Sequence, residues 1–430
     1  MRLFSLTLVL ASIAAVVLAA PPFTFTKVDL KLLDESKAID RELESRGLVF
    51  HDAAVDAHLT ALGRSVVPPG ELEFVEWQFH VLRDPMVNAF ALPNGSIYIN
   101  AGLLARAEND GQIAGVLAHE ATHVANRHGY LANRSIRRKS FLMNAASWIT
   151  WIPAGGVAGQ IISWTASAGQ VAVVLSVYGY SRELEQEADV SGLDLVKRAG
   201  RNPAQLARMM VLFDEKLEPE PVPILYNDHP RTRQRIDYLK QKLGIPDDLP
   251  AAEDRAYVLA MKPVIAQAVQ LQIDCRRFRS AVAAAAKLVA AQPNDSGNLF
   301  LAAEAWRSLG PRRSRLSEHE LTNAGLRAGY KSARKLTEDE EARQLAATDD
   351  GRVALQENRA KAEDLYGRAA ALAPSSASPY LGLGALYQDE GKTADAIAAY
   401  RKYLELSPSG SDRDRVERRL AALSVGGGPK

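Results

Sequence analysis

Near its C-terminal end the chain repeats itself. Tyr366, Ala369 and Pro374 are answered 34 residues later by Tyr400, Tyr403 and Pro408, and between them lies Tyr380-x2-Leu383-Gly384-x2-Tyr387, followed by Ala396. A period of that length is one helix, a turn and a second helix, and it recurs because a single pair cannot bury its apolar face alone. Pro293 followed by Leu299, Ala302, Ala303 and Trp306 reads as a worn copy, and the charged stretch from about Pro311 to Gln356 reads as an insertion that breaks the register. From Pro263 onward the composition is Ala-rich. This half of the chain is expected to be a curved α-solenoid whose concave side holds something.

The repeat period is the tetratricopeptide one. Ahead of it the patterning is mixed. From Asp29 to about Leu62 apolar residues recur at helical spacing, until Pro68-Pro69-Gly70 interrupts. Glu73 to Val81 alternates like a strand, Pro93-Asn94-Gly95 signals a turn, and Ser96 to Asn100 sets Ile97 and Ile99 on one face and Tyr98 on the other. A small antiparallel sheet is expected. Asp110 is placed to cap a helix running to about His128, with Gly129 where a left-handed residue would end it. The fold class is mainly α: an α+β domain with a small sheet, followed by the solenoid.

Met1-Arg2, the apolar run Leu3–Ala20 and the small residues Val17 and Ala19 predict a secretory signal cleaved after Ala19. Without Arg2, the 52 basic residues become 51, equal to the acidic count, so the mature chain is formally neutral. No basic field is left for a nucleic-acid partner. Ser140 to Ser181 contains no charged residue, carries Trp148, Trp151 and Trp164, and follows the cluster Arg134, Arg137, Arg138 and Lys139. It reads as a lid or a membrane-touching element, with peripheral lipid contact through the basic flank. The expected organisation is a signal peptide (1–19), a catalytic domain (20–248, with 140–181 as that lid), a repeat domain (249–424) and a tail (425–430). Cys275 is the only cysteine, so any metal must be held by His, Asp or Glu.

His119-Glu120-Ala121-Thr122-His123 lies inside the helix begun at Asp110. Four residues advance a helix by about 400°, so the two imidazoles stand about 40° apart and can grip one ion. Glu120 sits roughly 100° from His119, outside the ligand pair, where its carboxylate can take a proton from water. A catalytic zinc needs a third protein ligand. Ser181-Arg182-Glu183-Leu184-Glu185-Gln186-Glu187-Ala188-Asp189 opens another helix and offers two pairs four apart, Glu185 with Asp189 and Glu183 with Glu187. Spacing leaves both open.

Together with Asn88-Ala89-Phe90, Asn94-Gly95 and Arg127-His128, these motifs resemble the HtpX and CaaX-prenyl-protease family of zinc metallopeptidases, over about residues 30 to 240. With an export signal in front and repeats behind, the chain is most similar to the family's periplasmic outer-membrane β-barrel assembly-enhancing branch. The resemblance implies a gluzincin-type domain holding one zinc ion per chain. It selects Glu185 as third ligand and Asp189 as the partner that orients His119. It also brings in Asp228-His229-Pro230, where His229 would lie near the metal as a catalytic aid or as a fourth ligand that caps a resting site. Rotation from His123 assigns His128 to structure, pointing away from the metal.

The function expected is a zinc-dependent endopeptidase of periplasmic quality control that cleaves unfolded or stalled outer-membrane proteins by metal-activated water. The strand Ser96–Asn100 would be the edge to which an extended substrate adds. The repeats would dock a client or an outer-membrane assembly machine. Two rivals stand beside this reading: a chaperone or adaptor with a capped, inactive zinc site, and an integral-membrane protease using the Ser140 to Ser181 run. Glu120 opposes the first, since a structural site has no use for a base between its histidines.

Overall fold

The computed structural model describes residues 23–138, 180–215, 217–218, 232–246, 253–315 and 338–425. The expected signal peptide, nearly all of the uncharged segment and His229 lie outside the described residues. Among those described, no helix is long and apolar enough to cross a membrane.

The helical pattern that begins near Asp29 is divided into α1 (Lys27–Ser45) and α2 (Ala53–Ser65). Gly47, at φ 65, turns the chain between them, and β1 (Val49–Phe50) follows. α1 opens with a capping box in which Thr26 and Asp29 satisfy each other's backbone donors. Asp52 caps α2. Three more strands follow: β2 (Gln78–Leu82), β3 (Ala89–Ala91) and β4 (Ser96–Asn100). β2 starts later than the expected Glu73 because Phe74 sits at φ 64, which breaks the extended run.

The sheet order is β1-β2-β4-β3, and this corrects the expectation of an antiparallel sheet. β3 and β4 form a hairpin across the expected turn, with Phe90 opposite Tyr98, but β4 then pairs in parallel with β2, Val81 opposite Ile99. The Asn94-Gly95 turn reverses the chain as read. What a local turn does not specify is that β4 returns inside β3, making the sheet mixed and leaving β3 on the edge. All five residues of β4 are buried.

From β4 the chain passes directly into α3 (Ala101–Arg106) and then α4 (Asp110–Ala125), capped by Asn109, whose side chain accepts from the Gln112 amide. Arg127, at φ 59, ends α4 in the left-handed position expected of Gly129, and α5 (His128–Arg138) starts at once. Next come α6 (Arg182–Arg198), α7 (Ala204–Asp214) and α8 (Thr232–Leu243). α6 is capped by Ser181 and carries Glu183 and Glu185 in its first turn and Lys197 and Arg198 in its last, both favoured by the helix dipole. It packs closely on α4 because Gly192 faces the His119 backbone: a Cβ there would lie 3.2 Å from the His119 amide nitrogen.

The C-terminal helices are α9 (Arg255–Ala260), α10 (Lys262–Asp274), α11 (Phe278–Ala291), α12 (Ser296–Leu309), α13 (Glu338–Ala347), α14 (Asp349–Leu372), α15 (Ser378–Asp389), α16 (Thr393–Leu406) and α17 (Arg413–Val425). They pack as pairs, α10 with α11, α12 with α14 and α15 with α16. The second pair is split by the expected insertion, but the second helix resumes at Asp349, before Gln356. Tyr366 and Tyr400 are both buried, and each ring fills the space above a glycine of α15, Gly382 and Gly384 respectively.

One buried apolar cluster runs from the sheet and α4 into these helices, joining Ile97, Leu104 and Leu117 to Tyr257, Ile265 and Leu299. Tyr257 donates to the Leu104 carbonyl at 2.7 Å, and Lys287 to those of Arg106 and Ala107.

Candidate metal centre

α4 presents His119 and His123 on one face, as four-residue spacing requires. Their Nε2 atoms lie 3.0 Å apart. α6 brings Glu185 against both: Oε2 is 3.6 Å from His119 Nε2 and Oε1 is 3.5 Å from His123 Nε2. Ligand atoms of all three residues fall within 4.8 Å of one another, and all three residues are buried.

The Glu185 and Asp189 pair faces α4, whereas Glu183 and Glu187 face outward. Asp189 Oδ1 lies 3.1 Å from His119 Nδ1, so the ring nitrogen turned away from the cluster meets a carboxylate. Glu120, one residue along from His119, is also buried. Arg235 of α8 reaches in from behind. It pairs with both oxygens of Asp189 and places Nη1 3.0 Å from Glu185 Oε2.

Two features of this arrangement fit a divalent cation. Ligands held about 2.0–2.1 Å from a tetrahedral ion stand roughly 3.3 Å from each other, matching separations of 3.0 to 3.6 Å here. Second, among the described residues of the cluster the buried carboxylates Glu120, Glu185 and Asp189 outnumber the buried guanidinium Arg235. With neutral imidazoles these described groups sum to a formal charge of about −2, a balance that favours a bound cation in a dry interior. A dication restores the balance. Nitrogen and carboxylate donors in this ratio suit zinc.

A shallow cleft opens beside the cluster, lined by Ala91, Leu92, Pro93, His123, Val124, Arg127, Gly129, Tyr130 and Tyr180. Ala91 belongs to β3, so the edge strand next to the cleft is β3 and not the expected β4. Tyr180 lies flat on the His123 imidazole, the ring centres 3.8 Å apart.

The stretch from 53 to 243, which contains every residue of the cluster, matches the model of peptidase family M48. Over that stretch the chain is similar to the peptidases of family M48. Curated relatives agree. Over 235 residues the chain is 24% identical to the β-barrel assembly-enhancing protease of Yersinia pestis, covering 52% of this chain and 46% of that protein. Over 206 residues it is 26% identical to the protein of the same name in Escherichia coli K12, covering 46% and 40%. It is also 26% identical over 183 residues to the mitochondrial metalloendopeptidase OMA1 of Schizosaccharomyces pombe, covering 42% and 50%. The chain thus spans about half the length of these relatives, or less. The family M48 match stops before α9.

Two residues of this centre escape a reading by motif. Arg235 follows the His-Pro element in sequence, but nothing in its spacing announces a role behind Glu185. His128 was expected to point away, and it does not: its Nδ1 is 2.8 Å from His123 Nδ1. The rotation argument failed because the helix it extrapolates ends at Ala125, and the left-handed Arg127 redirects the chain. Burial, the dominant effect, holds the His128 imidazole below the ordinary histidine range, against the opposing pull of Glu187.

Proposed function

We propose that this chain is an exported zinc-dependent endopeptidase that cleaves unfolded or misassembled proteins, outer-membrane proteins among them, in the periplasm. The observation that carries the reading is the buried His119, His123 and Glu185 cluster with Glu120 between its histidines. In this reading the three residues hold one zinc ion and Asp189 orients His119. Bound zinc would polarise a water molecule and the carbonyl of the scissile peptide. Glu120 takes the proton of the attacking water and delivers one to the departing amine.

The outer edge of β3 offers its backbone to an extended substrate, a mode that reads main chain more than side chains and suits unfolded clients. His229 is proposed to lie near the metal, as an aid to the reaction or as a removable cap. The helix pairs of the C-terminal half act as a tetratricopeptide array that docks a client or an assembly machine. A link to β-barrel assembly is supported by the name of the bacterial relatives, and export by the leading apolar run.

The deciding variant is Glu120→Gln. The purified protein should keep about one zinc per chain while cleavage of an unfolded protein such as reduced casein falls by about 10²–10⁴-fold, the usual contribution of a general base. Cleavage retained at wild-type rate overturns the mechanism. Wild-type protein that binds no zinc overturns the metal centre.

A further inference from the structure

The nitrogen of His123 that faces away from the cluster, Nδ1, has an imidazole as its neighbour. His128 Nδ1 is 2.8 Å away and the rings meet near edge to face. His128 is fully buried. Behind it stands Glu187, with Oε2 3.5 Å from His128 Nε2. The same carboxylate accepts a hydrogen bond from Asn126 Nδ2 at 2.6 Å. The series therefore runs from the candidate ligand to a half-exposed carboxylate on α6, the helix that also supplies Glu185 and Asp189.

Two facing imidazole nitrogens share a single proton, so one donates and the other accepts. An imidazole that gives Nε2 to a cation keeps its proton on Nδ1. His123 must then donate to His128 Nδ1, which must be bare, and the proton of His128 sits on Nε2, the ring nitrogen 3.5 Å from Glu187 Oε2. Each tautomer follows from the one before it.

We infer that His128 is a positioning residue of the metal centre, fixing the tautomer and ring plane of His123 while Glu187 fixes those of His128. The inference rests on the zinc-site reading above. Ligand histidines commonly give their second N–H to a carboxylate or a carbonyl, as His119 faces Asp189 here. At His123 a neutral imidazole is interposed and the carboxylate is moved to the surface. The geometry also gives Arg127 a purpose. A non-glycine residue in the left-handed region is costly and persists where the surroundings demand it. Had α4 simply continued, His128 would stand about 140° around the helix from His123; the turn at Arg127 brings it back.

The test uses the full mature chain loaded with zinc and follows release of the metal to a chromophoric chelator. His128→Ala should weaken zinc binding by about 10–100-fold, the usual effect of removing such a partner. His128→Gln, whose side-chain oxygen can accept from His123 Nδ1, should recover most of it. Glu187→Ala, a surface change that leaves packing intact, should weaken binding toward the lower end of that range, which covers the case in which His128→Ala does not fold. With cobalt in place of zinc, the visible absorption bands should shift in His128→Ala and return in His128→Gln, a response that a loss of packing alone would not give. Zinc release from His128→Ala at the wild-type rate, or His128→Gln behaving like His128→Ala, overturns the inference while leaving the metal centre standing. A wild-type chain that takes up no zinc removes both.

Discussion

Arg235 grips Asp189 at two points, Nε to Oδ2 at 2.8 Å and Nη2 to Oδ1 at 2.6 Å, with both residues buried. Burial is the largest single influence on Asp189 and pushes its pKa up, but the charge and hydrogen bonds of Arg235, with His119, outweigh it and hold the carboxyl well below the usual range. Asp189, with Glu185 and Glu120, in turn holds the guanidinium firmly protonated against its own burial. Because Arg235 also reaches Glu185, α8 forms part of the frame of the candidate metal centre and not a separate appendage.

Removing that cation should leave buried carboxylates facing each other uncompensated. Arg235→Leu is expected to destabilise the chelator-treated protein by about 3–5 kcal/mol, the cost typical of breaking a buried pair from one side. Zinc should restore part of the loss, since its charge offsets the same carboxylates. Urea unfolding with and without zinc measures both numbers. A loss below about 1 kcal/mol, the scale of an exposed pair, would mean that Asp189 is solvated in solution.

Metal removal should itself be visible in stability. A ligand that binds only the folded chain stabilises by about 4 kcal/mol when its free concentration is 1,000 times Kd. Stripping zinc with a chelator should therefore lower Tm by several degrees, and zinc should bring it back. Magnesium or calcium at equal concentration should not, because hard cations seek oxygen and this site offers two imidazoles. Differential scanning fluorimetry separates these outcomes.

In the C-terminal half, Gly384 lies against a ring that has nowhere to move. A Cβ at this position would stand 2.5 Å from Tyr400 Cδ1 and Cε1, and Tyr400 is wholly buried with its hydroxyl bonded to Gln388. Gly384→Ala would gain about 0.5–1 kcal/mol of helix propensity but overpack the contact at a cost of roughly 1–3 kcal/mol. Net destabilisation is expected, with the Tm of the full chain as readout. A rise in Tm would mean that α15 and α16 are further apart than described.

What was legible before folding follows the range of each cue. The 3.6-residue period fixes which side chains share a face, so the pairing of His119 with His123 and of Glu185 with Asp189 was open to reading. Which acidic pair turns inward was not, because that depends on how α6 lies on α4, and Gly192 sets this by contact with the His119 backbone. The turn at Asn94-Gly95 was legible, but the insertion of β4 between β2 and β3 is a nonlocal pairing that no turn encodes. His128 was misplaced for one reason. Its position depends on a left-handed arginine, and residue type favours glycine there, so Gly129 drew the reading two residues too far.

The contact between the two halves carries a pH signature. Lys287 of α11 donates to the carbonyls of Arg106 and Ala107 at the end of α3, 2.7 and 2.8 Å away, a position that the helix dipole favours for a cation. Burial nevertheless dominates and lowers its pKa from 10.5 to about 8. Between about pH 8 and 10.5 the unfolded chain therefore binds more protons than the folded one, and linkage makes stability rise with pH across that window. Below about pH 8 both states are charged, so the desolvation cost is carried in full. The stability advantage of wild type over Lys287→Met should grow as the pH is raised from about 7.5 to 10, as measured by urea unfolding. An advantage that shrinks instead would place the folded pKa above the unfolded one, and the carbonyl pair would then outweigh burial at this junction.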